Sequence, residues 1–263
     1  MKVIAVFLLG ASLSVAQTKE ERGKRVMDEA LEALGGAKFL AVRDRLEAGR
    51  AYSFYRDELS GLSVARIYTR YLDRPAEAGP EWLGVEERQT FGKNENSAVL
   101  FSGGNGFEIT FRGARPIAKD RLERFRLSML SDIFYILRQR LKEQGLILES
   151  EGSEVWQNQP VEVVKITDAE NRVVTVYFHR STKLPVRQAF YRRDPKTKDR
   201  IEETVEYGKY RDAGGVRWPF YMLRIRDGQK VYQIFSETVS IDSGLSASLF
   251  TLPASMKILK AQR

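Results

Sequence analysis

Between residues 173 and 241 the sequence alternates dense β-branched and aromatic runs with short polar breaks, and that rhythm limits what the chain can fold into. Residues 173–178 and 186–193 are strand-like runs joined by His179-Arg180-Ser181-Thr182-Lys183-Leu184-Pro185. The proline suits a strand start, where it has no backbone donor to lose. The device then repeats. Residues 194–199, Asp212-Ala213-Gly214-Gly215 and Asp227-Gly228 turn the chain into runs 201–211, 216–226 and 230–241. Strands joined by such short turns form an antiparallel meander, onto which the rest of the chain is expected to be fitted.

Upstream, residues 18–34 predict a helix, with Val26, Ala30, Leu31 and Leu34 at helical spacing and Gly35-Gly36 as the stop. Residues 37–42 predict a further short turn. Residues 46–55, 64–72 and 83–91 read as strands, connected through Gly61 and through residues 73–80. Runs 97–101 and 107–111 flank Ser102-Gly103-Gly104-Asn105-Gly106, a hairpin signal. One long helix is expected over residues 119–144. Leu122, Phe125, Met129, Ile133, Leu137 and Leu141 make its apolar stripe, and Leu127, Leu130, Phe134 and Ile136 widen it. Gly145 ends it. Runs 146–149, 154–157 and 161–167 then open a second meander, with Gly152 and Asn158-Gln159-Pro160 as turns. Helix, strands, helix, strands is the order of an α+β fold with antiparallel sheet. No compositional break divides residues 17–263, which read as a single domain.

Many strands carry apolar residues on both alternation phases, as with Val174, Val176 and Phe178 against Val173 and Tyr177. A flat sheet with one wet face alternates more cleanly. The expectation is therefore a strongly curved sheet, an open half-barrel whose concave face is covered by helices and encloses a cavity. A second layer packed on the back, or a dimer, is the alternative.

The first residues resemble an export signal: Lys2, the apolar run 3–9, then Ser14-Val15-Ala16 before Gln17. The run is too short for a bilayer core of about 30 Å. Residues 1–16 are thus expected to be removed near Ala16, leaving a periplasmic protein. The net charge of +8 comes from basic residues interleaved with acids, as in Arg200-Ile201-Glu202-Glu203. Dispersed charge and export argue against nucleic acid as a partner and allow a mild preference for anionic envelopes.

The exported helix–meander–helix–meander layout, the Thr182-x-Leu184-Pro185 hairpin and the terminal Phe250-Thr251-Leu252-Pro253 resemble the LolA-like superfamily, which includes periplasmic carriers of outer-membrane lipoproteins. The layout spans nearly all of the chain after residue 16, whereas the motifs are short. The resemblance implies an open half-barrel, helices over a hydrophobic mouth and carriage of acyl chains. No motif singles out Arg43, Arg45, Arg50 or Arg66 as the match to that group's functional arginine, so no binding residue is carried over.

Catalytic chemistry finds little support. His179 is the one histidine and sits at a hairpin end, which argues against a histidine-based triad, and there is no cysteine, which excludes disulfides and thiol nucleophiles. The adjacent pairs Glu86-Glu87 and Glu202-Glu203 point to opposite faces of their strands and read as ordinary strand surface. Gly103-Gly104-Asn105-Gly106 lies between strands, so it is a turn and not a phosphate cradle. Arg192-Arg193-Asp194-Pro195 could grip an anionic head group but reads better as a solvated turn with local ion pairs. The broad helical stripe is the informative feature. It packs into the concave sheet as core or lines a cavity, and in the latter case Phe125, Met129, Ile133, Phe134 and Leu137 are the lipid-binding residues. Burying acyl chain is favourable by about 0.8 kcal/mol per methylene, so neither a catalytic group nor a cofactor nor a metal is called for. A non-catalytic carrier or sensor of lipid or lipoprotein acyl chains follows. The alternative is an envelope protein that docks a protein partner without lipid.

Overall fold

The computed structural model describes residues 17–73, 75 and 82–261; the export signal expected at residues 1–16 lies outside them. Thirteen antiparallel strands form one sheet: β1 (Asp44–Tyr55), β2 (Glu58–Tyr71), β3 (Val85–Phe91), β4 (Ser97–Ser102), β5 (Asn105–Thr110), β6 (Gly113–Pro116), β7 (Ile147–Trp156), β8 (Gln159–Thr167), β9 (Val173–His179), β10 (Pro185–Arg193), β11 (Arg200–Ala213), β12 (Val216–Arg226) and β13 (Gln229–Ile241). Their order is β6-β5-β4-β3-β2-β1-β13-β12-β11-β10-β9-β8-β7, so two meanders meet where β1 pairs with β13. β6 and β7 are the two edges, and the sheet does not close into a barrel.

Two-residue turns with positive φ set several hairpins, at Gly103-Gly104, Gly214-Gly215 and Asp227-Gly228 as read from sequence. Three readings are corrected. The β7–β8 turn is Gln157-Asn158, with Gln159 and Pro160 already in β8. The β1–β2 turn is Arg56-Asp57, at φ 52° and 64°, and Gly61 lies inside β2 opposite Ser53. Gly152 is a bulge within β7, with φ 100°. Neither turn chemistry is signalled by Arg-Asp or by a lone glycine.

Helix α1 (Lys19–Leu34) starts at a capping box, Thr18 Oγ1 accepting from Glu21 N–H and Glu21 from Thr18 N–H. Gly23 lets it settle on β7, since a Cβ there would stand 2.4 Å from Leu148 O. Its buried face, Val26, Met27, Ala30 and Leu34, joins a core with α2 (Ala37–Ala41) and the inward residues of β8 to β12, among them Val164, Val176, Phe178, Val205 and Trp218.

The long helix is not continuous. Helix α3 (Lys119–Leu130) stops at Ser131, and α4 (Ile133–Tyr135) restarts after Asp132 and runs into a π-helical turn at Ile136–Arg140. The fully buried Gln188 of β10 holds the break, its Nε2 donating to Ser131 O (3.0 Å) and its Oε1 accepting from Ile133 N–H (2.8 Å) and Tyr207 OH (2.8 Å). Asp132 caps α4 by accepting from Tyr135 N–H (3.0 Å), and buried Arg140 donates to Leu130 O (2.6 Å) at the end of α3. Apolar periodicity continues through such a break, so hydrophobic spacing alone does not reveal it. Ile133, Ile136 and Leu137 are packed in the core, while no residue of α3 is buried.

The back of the sheet is covered too. After β13 the chain crosses the convex face of β1–β6, where a 3-10 turn (Ala247–Phe250) puts Phe250 against Tyr68, Ala98 and Leu100. It then pairs along β6 through Ala114 and Ile258. That layer covers the N-terminal strands only; in β9, Val174, Val176 and Phe178 are core while Val173 stays exposed.

Gln188→Leu should destabilise the fold by about 1–3 kcal/mol, the cost of leaving buried Ser131 O and Ile133 N–H unpaired. Urea unfolding checks it; an unchanged midpoint would mean that the break holds without its pin.

Candidate functional site

Strands β4 and β10 lie seven strand positions apart in the sheet order, over 30 Å in a flat sheet at roughly 4.8 Å per strand. Yet Val99 and Phe101 of β4 and Phe190 and Arg192 of β10 line the same cavity. The sheet is therefore bent sharply about β1 and β13, and α3 spans the bend. Beneath α3 runs a groove of three connected compartments of about 360, 320 and 350 Å³, each within the roughly 300–1,000 Å³ of small-molecule sites.

The inner compartment mixes charged and apolar side chains. Arg45 and Glu47 of β1, Thr69 and Tyr71 of β2, and Glu87 and Gln89 of β3 face Trp218, Met222 and Arg224 of β12, with Asp132 and Phe134 above. Arg45 lies 2.8 Å from Glu47, donates to Tyr71 Oη (3.0 Å) and Thr69 Oγ1 (3.1 Å), and stacks 4.1 Å over Trp218. Burial opposes its charge, but Tyr71, Glu47, Glu87 and Asp132 hold it firmly protonated. Burial raises the Glu87 carboxyl above the usual carboxylate range, partly offset by the Gln89 amide and by Arg45 and Arg224. Burial likewise raises Asp132, against the Tyr135 N–H and the same two arginines. Trp218 Nε1 finds no acceptor among the described residues.

The middle compartment lies between α3 and both limbs of the sheet, with Arg121 and Arg124 above and Arg192, Glu203, Arg224 and Arg226 below. Beyond it, at the rim, a mainly apolar compartment is formed by Leu72, Trp82, Leu83, Val85, Leu122 and Phe125. Phe101 and Phe125 border both, their rings parallel with centroids 3.6 Å apart.

Of the five residues expected to contact ligand, Phe125, Met129 and Phe134 face the groove. Ile133 and Leu137 line none of these compartments; the helix break turns them into the core at 0% and 1% exposure. Glu86 and Glu87 are not ordinary strand surface, being 8% and 9% exposed. Glu87 faces the groove, and Glu86 pairs with Arg70 and Ser102 at the other face and the rim. Arg192 is buried in the groove and bonds Glu203, while Asp194 holds the turn beside it by accepting from Lys196 N–H. His179 Nδ1 accepts from Thr182 N–H (3.1 Å) and braces its hairpin.

Among Arg43, Arg45, Arg50 and Arg66, only Arg45 is buried in the groove. Arg45, Glu47, Glu87 and Asp132 were not legible as site residues. Arg45 and Glu47 of β1 and Glu87 and Gln89 of β3 read as a wet outer face, whereas here they line the groove and the C-terminal segment covers the opposite face.

No family model matches the chain, and no curated protein does. Solved structures do match. A DUF1329 family protein from Desulfovibrio piger superposes with a TM-score of 0.58 at 12% identity, covering 89% of this chain and 98% of its own. A LolA superfamily protein from Nitrosomonas europaea gives 0.51 at 14% identity, covering 90% and 98%. The chain has a LolA-like fold. A domain described as a candidate outer-membrane lipoprotein-sorting protein, from Vibrio parahaemolyticus, shares that LolA-like architecture with a TM-score of 0.54 at 12% identity over 87% of this chain and 97% of that one. Within this LolA-like frame the two short motifs have structural work: Leu184 is buried, Pro185 O accepts from Tyr210 OH (2.7 Å), and Phe250 lies beneath the Arg70 guanidinium at 4.8 Å.

Asp132→Asn keeps the acceptor for Tyr135 N–H and removes a buried charge. A carboxyl raised by folding contributes stability that is present at low pH and lost as pH rises from the ordinary aspartate value of about 4. The variant should therefore melt higher than the parent at pH 7, with the gain shrinking towards pH 4. Thermal melts across that range check this; a lower melting point at pH 7 would show that pairing with Arg45 and Arg224 outweighs burial.

Proposed function

We propose that the protein is a non-catalytic carrier or sensor that takes lipid or lipoprotein acyl chains into the groove beneath α3. One observation carries the reading: α3, with no buried residue of its own, bridges a sharply bent sheet over connected cavities. A helix that only built the core would have packed down into that space. The fold likeness to a domain described in terms of lipoprotein sorting supports the same reading.

In this reading the chain contacts Phe125, Met129 and Phe134 and the rim residues Leu122, Trp82 and Val85. At about 0.8 kcal/mol per buried methylene, a few carbons of chain give useful affinity. Ile133 and Leu137 support the lid from the core. The apolar run at residues 3–9 and Ser14-Val15-Ala16 support export and a periplasmic site of action. No helix among the described residues is long and apolar enough to cross a membrane.

Docking of a protein partner without lipid is favoured by a different feature, the β1–β2 hairpin, where Tyr55, Leu59 and Leu62 are more than half exposed. That surface lies on the strand tips and gives the groove no role, so we rank it second.

Lipid extraction and native mass spectrometry of protein purified from the envelope should show bound lipid, and a fluorescent fatty acid should be displaceable from it. Phe125→Asp, at a half-buried position, should weaken probe binding at least about ten-fold while circular dichroism stays unchanged, since a charge would sit where chain carbons pack. A folded Phe125→Asp with undiminished binding, or the absence of lipid and probe binding in the parent, would refute acyl carriage in this groove.

A further inference from the structure

The middle compartment is lined by five guanidinium groups, from Arg121, Arg124, Arg192, Arg224 and Arg226, against two carboxylates, Glu87 and Glu203. Their local pairing is uneven. Arg121 is held by Glu108, and Arg124 lies 3.6 Å from Asp120, both acids standing outside the lining. Arg192 and Arg226 share one acceptor, Glu203 Oε1, at 2.8 and 3.0 Å. Arg224 touches Ser128 Oγ (3.3 Å) and makes no ion pair among the described residues. An internal brace explains Arg192, Glu203 and Arg226. It does not explain Arg224, which stands exposed on the floor of the groove without an ion pair among the described residues, with only the electrostatic pull of Glu87 and Asp132 from the inner compartment.

Like charges gathered in a concave site repel one another and focus a positive potential into the cavity, which an entering anion relieves. Guanidinium groups suit carboxylate and phosphate in particular, because their planar fork donates two parallel hydrogen bonds. Next to this charged compartment, behind the Phe101–Phe125 pair, lies the mainly apolar rim compartment. A charged site and a greasy one sharing a single aromatic wall match a ligand with an acidic head and a hydrocarbon tail.

We infer that the groove selects an anionic amphiphile, whose carboxylate or phosphate head pairs with Arg224 and Arg226 while its chain passes Phe101 and Phe125 into the rim compartment. This rests on the acyl-binding reading and adds the charge of the head. The head is recognised across elements, by β12 from below and α3 from above, so binding also ties the lid to the floor.

The test titrates the full chain, after removal of endogenous lipid, with oleate, with monoolein (the same chain, uncharged head) and with inorganic phosphate, at low and high salt. Oleate should bind at least about ten-fold more tightly than monoolein at low salt, with the ratio shrinking as salt screens the charges. In Arg224→Gln/Arg226→Gln the ratio should fall to within about two-fold, and Arg224→Lys should retain most of the preference. Equal affinities in the parent, or a preference that survives in the folded double variant, would overturn the inference and leave acyl carriage standing. Inorganic phosphate binding as tightly as oleate would overturn it differently, by showing an ion site indifferent to the tail. If neither lipid binds, acyl carriage itself fails and takes this inference with it.

Discussion

The pairing of β1 with β13 is the constraint on which the rest of the structure depends. It joins residues 179 to 196 positions apart in the chain, Arg45 opposite Ile241 at one end and Ser53 opposite Tyr232 at the other. Without it the two meanders would be separate sheets, and the groove would lose its wall, since that wall is drawn from β1–β3 on one side and β12–β13 on the other. The seam is tight: a Cβ at Gly49 would stand 2.0 Å from Phe235 O, so only glycine fits where the register shifts between Ala48 and Gly49. A bulge there bends and twists the pair, at the place where the sheet folds back upon itself. Asp44 secures the end of the seam. Its carboxylate accepts from the backbone N–H groups of Ser243, Gly244 and Leu245 at 2.8–3.1 Å, turning the chain off β13 and over the convex face.

That turn decides which face of the N-terminal half is inside. Residues 245–256 pack on Leu46, Tyr68, Ala98 and Leu100 and cover the convex face of these strands. The phase left for the groove is mixed, with Arg45, Glu47, Thr69, Glu87 and Gln89 beside Ile67, Tyr71, Val85, Val99 and Phe101. The inner wall is consequently not the continuous hydrocarbon that two apolar phases first imply. Buried charges of this kind contribute little net stability, because desolvation offsets their attraction, and removing one partner is costly. They make better sense as a matched polar floor, kept open by mutual hydrogen bonds, than as core.

Much of this architecture was legible in the sequence because hairpin signals are local. Alternation and Gly-Gly or Asp-Gly turns place many of the strands, and helical spacing from Val26 to Leu34 with the Gly35-Gly36 stop places the first helix. What escaped was set by contacts distant in sequence. Gln188 breaks the helix 55 residues away from it, Arg-Asp makes a turn normally signalled by glycine, and short β6 is held between β5 and Ile258. The site divided the same way. Helical spacing picked out Phe125, Met129 and Phe134, which face the groove, but could not tell them from Ile133 and Leu137 across a break that it does not register.

The break itself ties fold to function. If residues 119–144 formed one straight helix, its apolar stripe would be a single continuous surface, and seating Ile133, Ile136 and Leu137 in the core would draw Leu122, Phe125 and Met129 down with them. The groove would then be filled. Ending α3 at Ser131 uncouples the two halves: α4 and the π-helical turn supply buried core, while α3 crosses the bend as a half-exposed strut. Such an interruption leaves backbone groups of both helices unpaired, which is expensive in a buried place. Gln188, Asp132 and Arg140 answer that cost with one amide, one carboxylate and one guanidinium. Three polar side chains, two of them buried, spent on a single helix joint are hard to account for as packing, since an uninterrupted helix would need none of them. They are readily accounted for if the space preserved under α3 is what the fold is for.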